Sequence, residues 1–183
     1  DHQGEEEDRQ HDRSDGDAVV AGDVLLSIRG RTRDLLTAER TALNILCHLS
    51  GVATATAKWA VALSGSQTRV RDTRKTTPLL RSLEKYAVRC GGGVNHRMAL
   101  SDAALVKDNH VVAAGGVAAA FEAVRSQFPG IPVEVEVDSL DQLDEVVAAG
   151  ADLVLLDNFT ADQMTEAVRR VGGRVLLEAS GGL

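Results

Sequence analysis

The chain has 183 residues, 44% of them hydrophobic, and a formal net charge of -7. Residues 1–17 contain eight acidic and two basic residues, so the remaining 166 residues have a net charge of -1. A nearly neutral body argues against nucleic acid as a partner, because nucleic-acid-binding domains present a basic face. The apolar content excludes a globally disordered chain, and the sequence lacks both an apolar run of about 20 residues and a basic-then-apolar signal peptide.

The acidic segment 1–14 has no apolar periodicity and is predicted to be disordered. Short apolar runs between turn residues indicate a hairpin over Asp15–Ile28. A helix is predicted over about 37–63, since apolar residues recur there at steps of three and four. Gly51 interrupts this pattern and indicates either a break or a close packing contact.

From about residue 68 the pattern alternates between strand and helix, which predicts βα units and a parallel α/β sheet or barrel over 68–183. Ser139 with Gln142 and Thr160 with Gln163 have the spacing of capping boxes. Helices are therefore predicted after residues 139 and 160, together with one near 117–128. The predicted strands are Val70–Asp72, Leu105–Val106, Val133–Asp138, Leu153–Leu156 and Arg174–Ala179.

Polar groups follow each of these strands. In α/β barrels the active site lies at the carboxyl ends of the strands, whereas loops in general are also polar. One polar strand end needs no functional explanation, but five are harder to explain as chance. The ends are Asp72-Thr73-Arg74-Lys75, Lys107-Asp108-Asn109-His110, Asp138, Asp157-Asn158 and Glu178-Ala179-Ser180-Gly181-Gly182.

The strand Val133–Asp138 alternates valines with Glu134, Glu136 and Asp138. Carboxylates on a covered sheet face are costly unless they are paired, hydrated or bound to a cation. An edge strand in water would show the same alternation. The helix predicted directly after the strand favours the barrel.

Charges are also sorted along the chain. Early loops supply cations that suit a polyanion, and late strands supply carboxylates that suit ribose hydroxyls or Mg2+. The cations are Arg71, Arg74, Lys75, Arg81, Lys85, Arg89, Arg97 and Lys107. The carboxylates are Glu134, Glu136, Asp138, Asp157 and Glu178.

Three further features each have two readings. His96 follows a mobile or tightly turned glycine run, and it is either structural or a general base. Lys107 follows an apolar pair, so it is either a Schiff-base lysine, as such a position in a barrel allows, or a cation without a covalent role. Ser180-Gly181-Gly182 is either a phosphate cradle or a plain turn.

Motifs along about 15–183 resemble the quinolinate phosphoribosyltransferase family. The similar segments are Glu39–Asn44, His48–Thr54, Asp72–Thr76, Lys85–Arg89, Gly91–Arg97, Lys107–His110, Glu134–Asp138, Leu155–Asn158 and Glu178–Gly182. The resemblance implies an incomplete α/β barrel over 68–183. It also implies that residues 15–67 hold the long helix and a remnant of an N-terminal α/β sandwich domain.

The resemblance implies that quinolinate and 5-phosphoribosyl 1-pyrophosphate give nicotinate mononucleotide, pyrophosphate and CO2 in NAD biosynthesis, with magnesium. The resemblance also implies catalytic roles for Lys107, Glu136 and Asp157. Quinolinate carboxylates would contact Arg74, His96, Arg97, Lys107 and, from a neighbouring subunit of a homodimer, Arg40. The phosphoribosyl donor would contact Lys75, Glu136, Asp157, Ser180 and Gly181, and the metal would contact Glu136 and Asp157. Under this interpretation Lys107 is a carboxylate clamp, not a Schiff base.

Residues 1–14 do not match the family, whose members have a larger N-terminal domain and further barrel strands. Two hypotheses follow: an enzyme of this family, or a folded family fragment that at most binds ligand. A related phosphoribosyltransferase with another substrate is a third. The two cysteines, Cys47 and Cys90, show no metal-binding or CxxC spacing, which predicts a reduced, cytoplasmic setting.

Overall fold

The computed structural model describes residues 9–11 and 13–182. The chain divides into two compact units after Met98. This division falls inside the range 68–183 that was assigned to one barrel domain, and the predicted domain boundaries stay predictions. None of the helices in the described part of the chain combines the length and the apolar content that a membrane span requires.

The first unit begins with two short antiparallel strands, β1 (Arg9–His11) and β2 (Leu26–Ile28). The hairpin predicted over Asp15–Ile28 is therefore correct only in its second strand, because the partner strand precedes the predicted range. The disorder predicted for 1–14 is wrong for Arg9–His11, which form β1. Residues 1–8 and 12 lie outside the described part of the chain.

Helix α1 covers Thr32–Ala62 and runs through Gly51 without a break. A Cβ atom at Gly51 would meet nothing within 4 Å, so neither reading of this glycine is correct for the described residues. One glycine costs a helix about 1 kcal/mol, which a helix of 31 residues tolerates. Much of the apolar surface of α1 is exposed, namely Leu36, Leu43, Ile45, Leu46, Trp59 and Val61.

Helix α2 (Arg81–Cys90) buries Glu84, Lys85, Ala87 and Val88. The glycine run that follows α2 packs tightly against α1: a Cβ on Gly91 would lie 2.3 Å from the Ala53 carbonyl oxygen. The absence of side chains on these glycines thus allows the turn after α2 to lie directly against the α1 backbone. The strand predicted at Val70–Asp72 is reduced to a single parallel bridge between Arg71 and Val94.

The second unit is a four-stranded parallel sheet with the order β3-β4-β5-β6. The predicted α/β class is confirmed. In chain order the elements are β3 (Ala104–Val106), α3 (Asp108–Ala114), α4 (Val117–Gln127), β4 (Val133–Val137), α5 (Leu140–Ala148), β5 (Leu153–Asp157), α6 (Ala161–Val171) and β6 (Leu176–Ser180).

One face of this sheet packs against the helices and forms the hydrophobic core. The core includes Val106, Phe121, Val135, Val137, Leu143, Val146, Val154, Leu156 and Ala167. Because side chains alternate along a strand, the intervening residues of β4, β5 and β6 belong to the opposite face. This alternation places the strand carboxylates away from the core.

The two predicted capping boxes form to different degrees at the starts of α5 and α6. Thr160 and Gln163 form both bonds of a capping box at α6. At α5 the Ser139 hydroxyl accepts from the Gln142 N–H, but the Gln142 side chain accepts from the N–H of Asp138. Helix α3 was not predicted, since Lys107–His110 was interpreted only as a strand end.

Candidate functional site

The strand register places acidic side chains on the sheet face opposite the valine core. Glu136 is level with Leu155 on β5, which in turn is level with Glu178 on β6. Strand β4 pairs with neighbours on both sides, so the edge-strand explanation of its alternation is wrong. Glu134 is 2% exposed, which shows that this face of β4 is covered as well.

Lys107 follows β3 directly and is the N-cap residue of α3. Its Nζ donates to Glu136 Oε2, and the two side chains are 46% and 17% exposed. The ammonium therefore neutralises a carboxylate of the next strand. The two residues were assigned to different substrates from the sequence, yet here they form one ion pair.

The ends of β5 and β6 are joined through Asn158. Its N–H donates to the Ser180 carbonyl at 2.8 Å, and its Nδ2 donates to Asp157 Oδ2 at 2.8 Å. Asn158 adopts a left-handed conformation with φ 57°, which asparagine tolerates better than most residues. No role is predicted for Asn158 from the sequence. Its position directly after Asp157, the last residue of a strand, is the feature from which a role at the strand ends could have been predicted.

Gly181 is packed against this asparagine. Its φ is +81°, and a Cβ there would lie 2.1 Å from Asn158 Oδ1. Ser180 and Gly181 therefore have a backbone that is fixed beside Asp157 by Asn158. Any side chain at position 181 would displace Asn158.

Gly181→Ala is expected to lower the free energy of unfolding by about 1–3 kcal/mol more than Gly173→Ala. Gly173 is a matched control, because its φ of +78° is similar but nothing lies within 4 Å of its Cβ position. Both variants incur backbone strain, and only the first adds a clash. Urea denaturation followed by circular dichroism measures the difference, and equal losses would show that the Asn158 contact relaxes without cost.

In the first unit, Asp72 is the anchor of the loops that carry the predicted cations. Its carboxylate accepts from Lys85 Nζ, from the Asn95 side-chain amide and, at 2.8 Å, from the His96 backbone N–H. Lys85 is 1% exposed and also donates to the His96 carbonyl at 2.8 Å. Asp72 and Lys85 therefore hold the loop of His96 against the loop of Arg74.

Four predicted substrate-binding residues lie on those two loops, namely Arg74, Lys75, His96 and Arg97. Arg74 is half-buried, and its Nε is buried without a hydrogen-bond partner among the described residues. Lys75 is exposed. His96 Nδ1 accepts from the Arg97 N–H at 2.7 Å, so a neutral imidazole carries its proton on Nε2. That nitrogen is a donor, which suits a carboxylate ligand.

A second tether fixes the loop after Lys75. The Thr77 N–H donates to Glu84 Oε2 at 3.1 Å, and His48 Nε2 lies 2.8 Å from Glu84 Oε1. The pKa of Glu84 is lowered, mainly by the hydrogen bonds from Thr77, with a smaller contribution from His48. The other predicted residue of the unit, Arg40, is exposed on α1.

Glu136 and Asp157 are the pair predicted to hold a metal. They lie on adjacent strands and are offset by two residues, which corresponds to about 8 Å between Cα atoms from the strand spacing and rise. Two carboxylate side chains can span that separation. Their hard oxygen donors fit Mg2+, which usually takes one or two carboxylates and completes its shell with water and phosphate oxygens.

Comparison with protein families identifies two matching domains. Residues 52–183 match the C-terminal domain of quinolinate phosphoribosyl transferase, and residues 9–50 match its N-terminal domain. The expectation that residues 1–14 do not match the family is therefore wrong for residues 9–14. The nicotinate-nucleotide pyrophosphorylase [carboxylating] of Mycobacterium leprae is 55% identical over 172 residues, covering 92% of this chain and 61% of the relative. A probable enzyme of the same name from Synechocystis is 44% identical, covering 91% and 58%.

Solved structures agree with this match. The crystal structure of NadC from Streptococcus pyogenes has a TM-score of 0.92 and 48% identity, covering 97% of this chain and 64% of that one. Nicotinate-nucleotide pyrophosphorylase from Francisella tularensis has a TM-score of 0.92 and 45% identity, covering 97% and 63%. The chain spans about three fifths of the length of the curated relatives that it matches.

Proposed function

The chain belongs to the quinolinate phosphoribosyl transferase family, and we propose that the protein transfers a phosphoribosyl group to quinolinate with decarboxylation. The products are nicotinate mononucleotide, pyrophosphate and CO2, in NAD biosynthesis. The observation that carries the proposal is the chemistry of the two loop sets. Cationic side chains lie on the Asp72-anchored loops, and carboxylates lie at the carboxyl ends of a parallel sheet, where α/β barrels carry their active sites.

In this proposal the cations hold the two carboxylates of quinolinate. Arginine suits this task, because its planar fork matches both oxygens of a carboxylate. The Nε2–H of His96 adds a directed donor, consistent with the Arg97 N–H on its other nitrogen. The ligands would be Arg74, His96, Arg97 and Lys107.

The phosphoribosyl donor is proposed to bind through its phosphates and its ribose. Lys75 is exposed and can reach a phosphate. Ser180 and Gly181 would line the 5-phosphate through their backbone, and Glu136 and Asp157 would hold the ribose hydroxyls. Mg2+ on these two carboxylates would balance charge on the pyrophosphate group.

Catalysis then rests on positioning. Clamped carboxylates hold the ring nitrogen against the anomeric carbon of the donor. The nitrogen lone pair forms the new C–N bond, while the C–O bond to pyrophosphate breaks and its electron pair leaves with the pyrophosphate. Positive charge that builds at the anomeric carbon is stabilised by Glu136 and Asp157. CO2 leaves next, and its bonding pair stays on a ring carbon, next to the positive nitrogen, and takes a proton.

We also propose a homodimer in the cytoplasm. Exposed apolar residues on α1 give a surface that a second copy would cover, and Arg40 lies on the same helix, where it could reach a neighbouring subunit. The free thiols of Cys47 and Cys90 suit a reduced compartment.

The test incubates the purified protein with quinolinate, the phosphoribosyl donor and Mg2+, and follows nicotinate mononucleotide by mass spectrometry. We expect product from the wild type and from Arg33→Ala, an exposed arginine on α1, and none from Arg74→Ala. Product with nicotinate but not with quinolinate would indicate a related phosphoribosyltransferase. Absence of product from a folded wild type that still binds quinolinate would favour a binding fragment.

A further inference from the structure

Arg81, in the first turn of α2, donates from each of its three guanidinium nitrogens to an acceptor within the first unit. Its Nε donates to Thr76 Oγ1 at 3.1 Å and its Nη2 donates to the Arg74 carbonyl at 3.2 Å. Its Nη1 donates to the Met98 carbonyl at 3.2 Å. Three acceptors on two separate loops are therefore held by one rigid planar group.

The two loops are those that carry the proposed quinolinate clamps. Arg74 is itself one of the acceptors, and Met98 follows Arg97 directly. The guanidinium therefore fixes the backbone of Arg74 relative to the backbone beside Arg97. A dicarboxylate that binds side chains of both loops requires a constant distance between the Arg74 backbone and the backbone beside Arg97.

Helix α2 is suited to act as the support. Arg81, Glu84 and Lys85 are spaced i, i+3 and i+4 and lie on one face of the helix. Glu84 and Lys85 are buried and bind Thr77 and His96 of the same two loops. Lys85 also joins the two loops, because its Nζ donates to Asp72 and to the His96 carbonyl. Arg81 differs from Lys85 because its three donor nitrogens are held in one rigid plane, whereas a single ammonium nitrogen does not fix a spacing by its own shape.

We propose that Arg81 is a positioning residue that sets the distance between the Arg74 loop and the Arg97 loop, and thereby the selectivity for a dicarboxylate. The proposal rests on the proposed function. Quinolinate would be held by both loops, whereas nicotinate, with one carboxylate, would be held by one. Loss of the spacing therefore weakens quinolinate binding more than nicotinate binding.

The variants are Arg81→Lys and Arg81→Gln. Lysine keeps the charge but is a single point donor that cannot reproduce the fork, so it is expected to behave like glutamine. A displacement of about 1 Å can cost roughly a hundredfold in a positioned site. We expect the dissociation constant for quinolinate to rise at least about tenfold while that for nicotinate changes less than about threefold.

Isothermal titration with each ligand measures the ratio of the two constants, and Arg33→Gln is the control on an exposed arginine. Hydrogen exchange of residues 73–80 is measured on the same samples, and we expect it to accelerate in both Arg81 variants. Circular dichroism identifies a variant that fails to fold. If Arg81→Gln fails to fold, the ratio of dissociation constants measured on Arg81→Lys, which preserves the charge and most of the side-chain volume, tests the proposal.

The outcomes separate this proposal from the proposed function. Wild-type protein that binds neither ligand would reject the proposed function and this role with it. Wild-type protein that prefers quinolinate, with an unchanged ratio in both variants, would reject the role of Arg81 alone. An equal loss of affinity for quinolinate and nicotinate would show that Arg81 has only a general structural role, and this result would also overturn the proposal.

Discussion

Replacement of Lys85 by methionine is expected to lower the free energy of unfolding by about 3–5 kcal/mol. The side chain is 1% exposed and donates to Asp72 and to the His96 carbonyl. Methionine fills a similar volume but leaves the Asp72 carboxylate without its cation in a covered position. The remaining donors to Asp72, from Asn95 and the His96 N–H, cannot replace a full charge.

The loss is a large part of the total stability of about 5–15 kcal/mol that is usual for a protein, so a clearly lower denaturation midpoint in urea is expected. Urea denaturation at neutral pH, followed by circular dichroism, measures it. Lys58→Met on the exposed side of α1 is the control and should change stability by less than about 0.5 kcal/mol. If Lys85→Met lowers the free energy of unfolding by less than about 1 kcal/mol, water or a rearranged side chain must stabilise the Asp72 carboxylate in place of the ammonium.

The parallel sheet was predictable because its signals are local. Alternating valines and carboxylates marked β4, and the spacing of Thr160 and Gln163 marked the start of α6. Predicted boundaries differ from the structure by a few residues, as expected where helix ends depend on tertiary contacts. The strand predicted near Val70 failed because it forms a single bridge, and a run that short cannot show whether a partner strand exists.

The site was predictable only as a list of charged groups. Sequence spacing cannot show that Lys85 is a buried partner of Asp72, or that Arg81 binds two loops, since both depend on which segments fold against α2. Gly91 illustrates the same limit: its closeness to Ala53 of α1 involves a residue 38 positions earlier in the chain. Glycine patterns reveal a need for space or for a positive φ, but not which neighbour causes that need.

Substitution of Lys107 and of Glu136 is expected to change quinolinate binding in opposite directions. Lys107→Gln removes a charged donor from the proposed carboxylate clamp, a loss of about 1.5–3 kcal/mol or roughly 10- to 150-fold in affinity. It also leaves Glu136 without its cation, and this carboxylate would then repel a dianionic ligand. Both effects weaken binding.

Glu136→Gln has the reverse effect on the same ammonium. Lys107 donates to Glu136, so quinolinate must compete with that carboxylate for the ammonium. An ion pair as exposed as this one is worth about 0.2–1 kcal/mol, and its removal should tighten quinolinate binding by up to about fivefold. Binding of the phosphoribosyl donor should weaken instead, because the proposed ribose and metal ligand is lost.

Isothermal titration of quinolinate and of the phosphoribosyl donor with Mg2+ measures both effects, and Lys58→Gln is the matched lysine control. Weaker quinolinate binding in Glu136→Gln would show that the ion pair holds Lys107 in place for the ligand and does not compete with it. Unchanged binding in Lys107→Gln would remove Lys107 from the clamp. A borohydride-trapped adduct at Lys107 would restore the Schiff-base reading, because it requires a covalent role that a carboxylate clamp does not have.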